Sequence, residues 1–177
     1  AHYNGKIPRN PFAMYHVDPD HKEREFLTLD ELTAMTEIKL EDPNMAFARD
    51  LFIFGSWTGI AFIDIKNLTE DNISMVNGAP WIVSKRQKTG VPFQIKLLDI
   101  PMQIVERYKS FRNGNHLFNI GNLDSINKRI KKVAVMCGIK KRVSFHVSRH
   151  SWAVLALEYG MPIESVSKIL GHTNITT

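Results

Sequence analysis

The pattern of apolar and polar positions predicts two helices in the first third of the folded region. Thr28 and Glu31 stand at the spacing of a capping box, which predicts a helix that begins there and runs to about Ile38. The pair Asp42-Pro43 repeats this start signal, and a phenylalanine-rich apolar segment follows it. We expect this second helix to be buried and to end at the turn Thr58-Gly59.

The middle of the chain changes to a pattern typical of strands. Short β-rich runs between residues 73 and 98 are separated by Asn77-Gly78 and by Thr89-Gly90, which is the signature of two hairpins. The sequence therefore predicts a small three-stranded antiparallel sheet.

Helical spacing returns after the sheet and continues to the end of the chain. The first predicted face after Pro101 carries Ile104, Val105, Tyr108 and Phe111. The next carries Ile126, Ile130, Val133 and Met136 before Gly138 ends that helix. One more helix covers residues 145–158, and another is opened by Pro162 and ended by Gly171. The predicted fold class is α+β, mostly helical with the sheet in the middle.

Length and composition predict one folded domain. A chain of 177 residues with 44% hydrophobic content can build a core, whereas residues 1–25 are polar, contain three prolines and are predicted to be a linker. We expect residues 26–177 to form the domain. The longest uncharged apolar stretch, residues 51–63, is shorter than the roughly 20 residues of a membrane span. With Cys137 as its one cysteine the chain forms no internal disulfide, and we expect a cytoplasmic protein with no membrane contact.

The basic residues are concentrated in one part of the chain. The net charge is +5, and seven cations with no acidic residue among them occupy one short region: Lys128, Arg129, Lys131, Lys132, Lys140, Lys141 and Arg142. This clustering favours a polyanion such as DNA as the partner. The alternative is a solvated helix face beside a loop, and charge alone does not decide between them.

Candidate chemistry lies at the predicted start of the helix over residues 145–158. His146 and Arg149 are three residues apart, so both side chains emerge on one face, near a helix N-terminus that favours an anion. Arginine binds two phosphate oxygens at once, so this face is a candidate phosphate site. A zinc site on His146 and His150 is disfavoured, because Val147 occupies the position where the metalloprotease pattern has glutamate, and we expect no metal.

The order of the motifs resembles the catalytic domain of the tyrosine recombinase, or phage-type integrase, family. The segment from Thr58 to Asp64 is similar to the first box of that family, and Lys88 lies where the family has a lysine on a β-hairpin. His146-x-x-Arg149 and Leu170-Gly171-His172 are similar to the later boxes. The resemblance implies the fold of the DNA breaking-rejoining enzymes.

One position departs from the family pattern. The arginine of the first box falls on Ala61, which holds neither a phosphate nor its charge. Our hypothesis is that Arg86 substitutes for it, because in an extended strand Arg86 would point to the same face as Lys88, two residues on. Some recombinases of bacterial mobile elements also lack this arginine, so we favour a mobile-element integrase.

The resemblance also implies a mechanism and partners. A tyrosine attacks a DNA phosphodiester to give a 3′-phosphotyrosyl link, Arg149 supplies positive charge, His146 and His172 handle protons, and Lys88 protonates the leaving 5′ oxygen. No cofactor is required. The tyrosine would follow His172 beyond the last residue, so we expect this piece to be an inactive monomer. The complete bacterial protein would carry an N-terminal DNA-clamping domain and act on double-stranded DNA as a homotetramer, with possible accessory DNA-bending or directionality proteins.

Two alternatives remain open at this point. Ala61 is compatible with a catalytically decayed homologue that binds DNA without cutting it. Residues 156–170 also resemble a helix-turn-helix, with Gly160 in the turn and Val166 and Leu170 as packing residues, which would suit a DNA-binding regulator.

Overall fold

The structure is a computed structural model and describes residues 25–171. Seven α-helices and one three-stranded sheet make up this part of the chain. The helices are α1 (Leu29–Glu37), α2 (Pro43–Thr58), α3 (Phe62–Lys66), α4 (Asp99–Arg107), α5 (Leu123–Met136), α6 (Phe145–Glu158) and α7 (Ile163–Leu170). The strands, between α3 and α4, are β1 (Ile73–Val76), β2 (Ala79–Lys85) and β3 (Pro92–Lys96). The predicted α+β class is confirmed. The predicted linker, apart from its last residue, and His172 lie outside the described residues.

Helix α2 is the centre of the fold and packs against α1, α4, α5 and α6. It begins as predicted, with the Asp42 side chain accepting a hydrogen bond from the backbone N–H of Asn44 at 2.8 Å. Residues 51–54 are at most 1% exposed, so the helix has no solvent face over that turn. It ends at Gly59, whose φ of 66° is the left-handed conformation that glycine adopts without strain.

The sheet has the order β1-β2-β3 and is antiparallel throughout, as predicted. Ile82 on β2 pairs with Ile73 on one side and with Ile95 on the other, and it is completely buried. Asn77-Gly78 closes the first hairpin with positive φ at both residues. The sheet therefore turns one face to the helical core and presents its second hairpin beside the first turns of α3.

Two apolar residues predicted to be buried are exposed. Phe111 is 70% exposed, because α4 ends at Arg107 and a 3-10 turn over Lys109–Phe111 directs its ring away from the core. Met136 is 56% exposed, and Ala134 takes its place in the core. At about 100° per residue, Met136 lies roughly 100° from the centre of the buried stripe of α5. The short helix α3 was not predicted, because five residues are too few to show a helical period.

Helices α6 and α7 meet at a corner that brings the end of α7 close to the sheet. Gly160 (φ 82°) follows α6, and Gly171 (φ 68°) ends α7, both as predicted. Helix α6 approaches α2 closely, since a Cβ on Gly59 would lie 2.6 Å from the Trp152 ring. Within residues 25–171, no helix combines the length and the apolar character that crossing a membrane requires.

Candidate active site

A cleft of about 300 Å³ opens between the start of α3 and the start of α6. Ala61 and Phe62 line one wall, and His146 and Arg149 line the other. The sequence predicted that His146 and Arg149 share a helix face, and the structure places both on this cleft. Ala61 immediately precedes α3, so the position that is arginine in the first box of the family also faces the cleft.

Arg149 is held by the ends of two other helices. Its Nη1 donates to the carbonyl oxygen of Gly59 at 2.9 Å, and its Nη2 donates to that of Leu170. Burial, and then the neighbouring positive charge of Arg86, lower the pKa of Arg149 to about 10, and the negative charge of Asp64 opposes both. Arg149 therefore stays charged at neutral pH, in a position fixed before any ligand binds.

Arg86 lies next to Arg149 and is almost completely buried. Its Nη1 is 2.9 Å from Oδ2 of Asp64, and both side chains are 5% exposed. Its Nη2 donates to the carbonyl oxygen of Ile169, and its guanidinium lies 4.2 Å from the centre of the Phe93 ring. The structure thus puts two guanidinium groups on the last carbonyl groups of α7, where the helix dipole is negative.

The predicted geometry of Arg86 and Lys88 is wrong. Strand β2 ends at Lys85, so the two residues do not share an extended strand. The turn closes when the N–H of Arg86 donates to the carbonyl of Val91 and the N–H of Gly90 donates to that of Arg86, both at 2.8 Å. This turn sends Arg86 into the interior and leaves Lys88 exposed.

Asp64 connects the first box to the hairpin. Its Oδ2 binds Arg86, and its Oδ1 accepts a hydrogen bond from the backbone N–H of Gln87 at 2.8 Å. The turn that carries Lys88 is therefore anchored on α3. The sequence indicated Asp64 only through its position in the box, and no spacing signal pointed to this partner.

The histidines of the predicted site are placed only in part. His146 is exposed at the cleft, and its ring contacts that of His150 edge to face at 4.4 Å between centroids. His172 follows directly after Gly171 and lies outside the described residues. Among residues 25–171, no three His, Cys, Asp or Glu side chains are grouped as metal ligands would be.

The seven predicted DNA-binding cations differ in how free they are. Five have exposed side chains: Lys128, Lys131, Lys132, Lys140 and Arg142. Arg129 is half-buried and donates to the Ser125 hydroxyl. The Lys141 amine is 2.6 Å from a Glu31 carboxylate oxygen and 5.4 Å from the centre of the Phe26 ring. Lys141 is therefore engaged within the protein, which charge counting along the sequence does not reveal.

Neither tyrosine of the described part lines the cleft. Tyr108 donates its hydroxyl hydrogen to Asp50 at 2.8 Å and lines a separate pocket with Phe47. Burial, and then the hydrogen bond and negative charge of Asp50, raise the pKa of Tyr108. Tyr159 lies at the end of α6 beside another groove. Both side chains are therefore away from Arg149.

Comparison with known proteins places this geometry in a family. The phage integrase family model matches residues 25–177. Tyrosine recombinase XerC of Yersinia pestis is 24% identical over 98% of this chain, and the match covers 60% of that protein. The XerC of Pelobacter propionicus shows the same identity and shares. The chain thus spans about 60% of the length of these relatives.

Solved structures share the fold. The XerA recombinase superposes with a TM-score of 0.69 at 21% identity, covering 85% of this chain and 55% of that one. The Tn1549 transposon integrase in complex with circular intermediate DNA superposes with a TM-score of 0.70 at 18% identity, covering 98% and 66%. These structures confirm the predicted fold. Because the family model matches most of its residues, the chain belongs to the phage integrase family, as the order of its boxes predicted.

Proposed function

We propose that this chain is the DNA-cleaving domain of a site-specific recombinase. The observation that carries the proposal is that His146 and Arg149 share one cleft, while Arg86, from the hairpin of Lys88, binds the α7 carbonyl next to the one that Arg149 binds. Two buried or half-buried guanidinium groups give this region a fixed positive charge, which suits the phosphate of a DNA strand.

In the proposed reaction, a tyrosine oxygen attacks the phosphorus and the bond from phosphorus to the 5′ oxygen breaks. A 3′-phosphotyrosyl link forms, a histidine accepts the tyrosine proton, and Lys88 gives a proton to the leaving 5′ oxygen. Rejoining reverses these steps with a new 5′ hydroxyl. The covalent link keeps the bond energy, so the cycle needs no ATP. We propose that the tyrosine lies beyond Thr177 in the complete protein, and that this chain alone does not cleave.

Arg149 is the proposed source of charge at the equatorial phosphate oxygens. Since removal of one preorganised donor typically lowers a rate roughly 100-fold to 1000-fold, we expect at least that loss for Arg149→Ala. The conservative variant Arg149→Lys keeps the charge but only one of the two guanidinium contacts. Its cleavage rate should fall between those of the wild-type protein and Arg149→Ala. A wild-type rate for Arg149→Ala would remove this residue from the mechanism.

Arg86 is proposed to supply the charge that Ala61 lacks. What supports this is its proximity to Arg149, which is close enough for its charge to lower the pKa of that guanidinium. Because Arg86 also binds Asp64, loss of Arg86 would disturb the fold as well as the positive charge beside Arg149. We therefore expect Arg86→Lys to cleave faster than Arg86→Ala when both are compared at equal folded fraction. Unchanged cleavage by Arg86→Ala would contradict the proposal that Arg86 supplies the charge that Ala61 lacks.

The exposed cations are proposed to hold the DNA backbone. Each phosphate contact that is lost should reduce the slope of log Kd against log salt by about 0.9. We expect such a reduction for Lys128→Met, Lys131→Met and Lys132→Met. Lys141→Met is the matched control, because its amine is already paired with Glu31. An equal slope change in the control would contradict the assignment.

We propose double-stranded DNA as the partner, a homotetramer of the complete protein on DNA, a monomeric state for this piece, and a role in a bacterial mobile element. The Tn1549 transposon integrase and its circular intermediate DNA support the last point by similarity of fold. The bacterial relatives support a cytoplasmic location. Accessory DNA-bending or directionality proteins remain part of the proposal.

The decisive experiment mixes the full-length protein with nicked duplexes from the ends of its own element. Cleavage near the nick releases a short strand and traps the covalent complex, which a denaturing gel separates. A band that joins protein to a DNA 3′ end is the expected result. Specific, salt-sensitive binding without that band would favour the decayed homologue that Ala61 suggests, or a regulator that binds through the α6–α7 corner.

A further inference from the structure

The cleft contains a polar side chain to which the proposed roles assign nothing. Asn127, in the second turn of α5, lines the cleft with Ala61, His146 and Arg149. Apart from these residues and Ser144, its lining is apolar. Asn127 is thus one of few groups in the cleft able to form a hydrogen bond.

The orientation of the Asn127 amide is fixed by α6. Its Oδ1 accepts a hydrogen bond from the backbone N–H of Phe145, the first residue of α6, at 2.7 Å. A backbone N–H only donates, so this contact identifies which end of the amide is oxygen. Ser144, the residue at the N-cap position, makes no capping bond with its own side chain. Asn127 therefore caps α6 from another helix.

The same contact leaves the other end of the amide available. Within the described part of the chain, the Asn127 NH₂ group donates to no protein acceptor. Asn127 is half-buried and its NH₂ group keeps access to solvent, so a partner that enters the cleft can accept from it in place of water. The Arg149 guanidinium cannot be that partner because it has no acceptor atom. The short Ala61 side chain leaves space in the same cleft for a group that brings acceptors.

We propose that the Asn127 NH₂ group donates a hydrogen bond to a non-bridging oxygen of the DNA phosphate held by Arg149. The inference rests on the proposed function and deepens it. Asn127 would provide a neutral donor in the same cleft as Ala61, the position where the family pattern has a cation. Its cap to Phe145 would set the direction of that donor and the start of the helix that carries His146.

The variant Asn127→Asp separates the contact from the cap. A carboxylate still accepts from Phe145, and aspartate is as good a capping residue as asparagine. It cannot donate, and its charge repels a phosphate. We expect the full-length protein with Asn127→Asp to unfold at the same or a higher urea concentration, to bind nicked site DNA less tightly, and to form the covalent complex about tenfold to a hundredfold more slowly.

Asn122→Asp is the matched control. Asn122 caps α5 by accepting from the Ser125 N–H at 2.8 Å, and it does not line the cleft. It undergoes the same change of charge on the same helix, and we expect binding and cleavage at wild-type levels. Asn127→Ala completes the set, because it loses both the donor and the cap and should lower stability as well as cleavage.

The outcomes distinguish this inference from the proposed function. Wild-type binding and cleavage by Asn127→Asp would show that Asn127 is only a cap and would overturn the contact. Equal losses in Asn127→Asp and Asn122→Asp would reduce the effect to general repulsion and would also overturn it. If the wild-type protein forms no covalent complex, the proposed function fails. The contact would then still be supported if Asn127→Asp, but not Asn122→Asp, bound DNA less tightly than the wild-type protein. It would be rejected if Asn127→Asp bound DNA as tightly as the wild-type protein.

Discussion

Replacing Asp64 with asparagine is expected to destabilise the fold, because it leaves the buried charge of Arg86 without a counter-ion. Both side chains are 5% exposed, and Arg86 is tied in place by the carbonyl of Ile169 and by the Phe93 ring. The guanidinium therefore cannot reach solvent without breaking other contacts. The new amide oxygen can still accept from the Gln87 N–H, but its NH₂ group then faces Nη1 of Arg86, so the change removes both the charge and the hydrogen bond that Arg86 donates.

The expected size follows from the burial of both partners. Removing one partner of a buried ion pair costs about 3–5 kcal/mol, because the other charge stays desolvated. Arg149 adds to this cost, since the charges of Arg86 and Arg149 already repel each other enough to lower the pKa of Arg149. The comparison pair is Glu70 with Arg112, in which the Glu70 side chain is 54% exposed. We expect Glu70→Gln to cost under about 1 kcal/mol.

Urea unfolding followed by tryptophan fluorescence measures these free energies. The double variant Asp64→Asn with Arg86→Met removes both charges and keeps an apolar stem against Phe93. It should be more stable than Asp64→Asn alone, because neutral replacement of a buried pair is often tolerated. If the effects of the two single substitutions instead add within about 0.5 kcal/mol, the two charges are not coupled and the reasoning fails.

Two further substitutions test the packing around the site. Gly59→Ala should lower the stability of the fold more than Gly78→Ala. Both glycines have positive φ, but only at Gly59 would the new Cβ meet a ring, that of Trp152 at 2.6 Å. Thermal unfolding compares the two variants, and equal losses of stability would argue against close packing of α2 and α6. Tyr108→Phe removes a hydrogen bond to the Asp50 carboxylate and should cost about 1.5–3 kcal/mol. Because the pKa of Tyr108 is raised in the folded protein, its contribution is present below the unfolded pKa and is lost as pH rises above about 10. If Tyr108→Phe lost as much stability as the wild-type protein over that pH range, this assignment would be contradicted.

The elements that the sequence predicted well are those with local signals. The capping box of Thr28 and Glu31 is present, with N–H to oxygen distances of 2.8 and 3.3 Å. Asp42-Pro43, Gly59 and the two hairpin turns also lie where predicted. In each case a few neighbouring residues determine the backbone conformation, so the sequence alone is sufficient.

The errors occur where distant parts of the chain decide. Counting residues along the strand places Arg86 on a strand face, but the carboxylate of Asp64, 22 positions earlier, binds it in the interior. Asn127 carried no signal at all, because its partner Phe145 is 18 positions away on another helix. Charge counting groups Lys141 with the DNA-binding cations, although Glu31, 110 positions away, already pairs with it.

The way the two arginines bind α7 changes what the loss of the first-box arginine means. In this chain the charge beside Arg149 comes from the hairpin, and it is fixed by α3 through Asp64 and by α7 through Ile169. Arg149 binds the next carbonyl, that of Leu170. Both cations therefore stabilise the negative end of α7 directly before the Gly171 turn. Loss of Arg86 would remove positive charge beside Arg149 and also loosen the helix end that leads to His172. Arg86→Lys restores the charge without the guanidinium fork. The difference between its cleavage rate and that of the wild-type protein therefore measures how much the positioning of the α7 end contributes. The difference between its rate and that of Arg86→Ala measures how much the charge contributes.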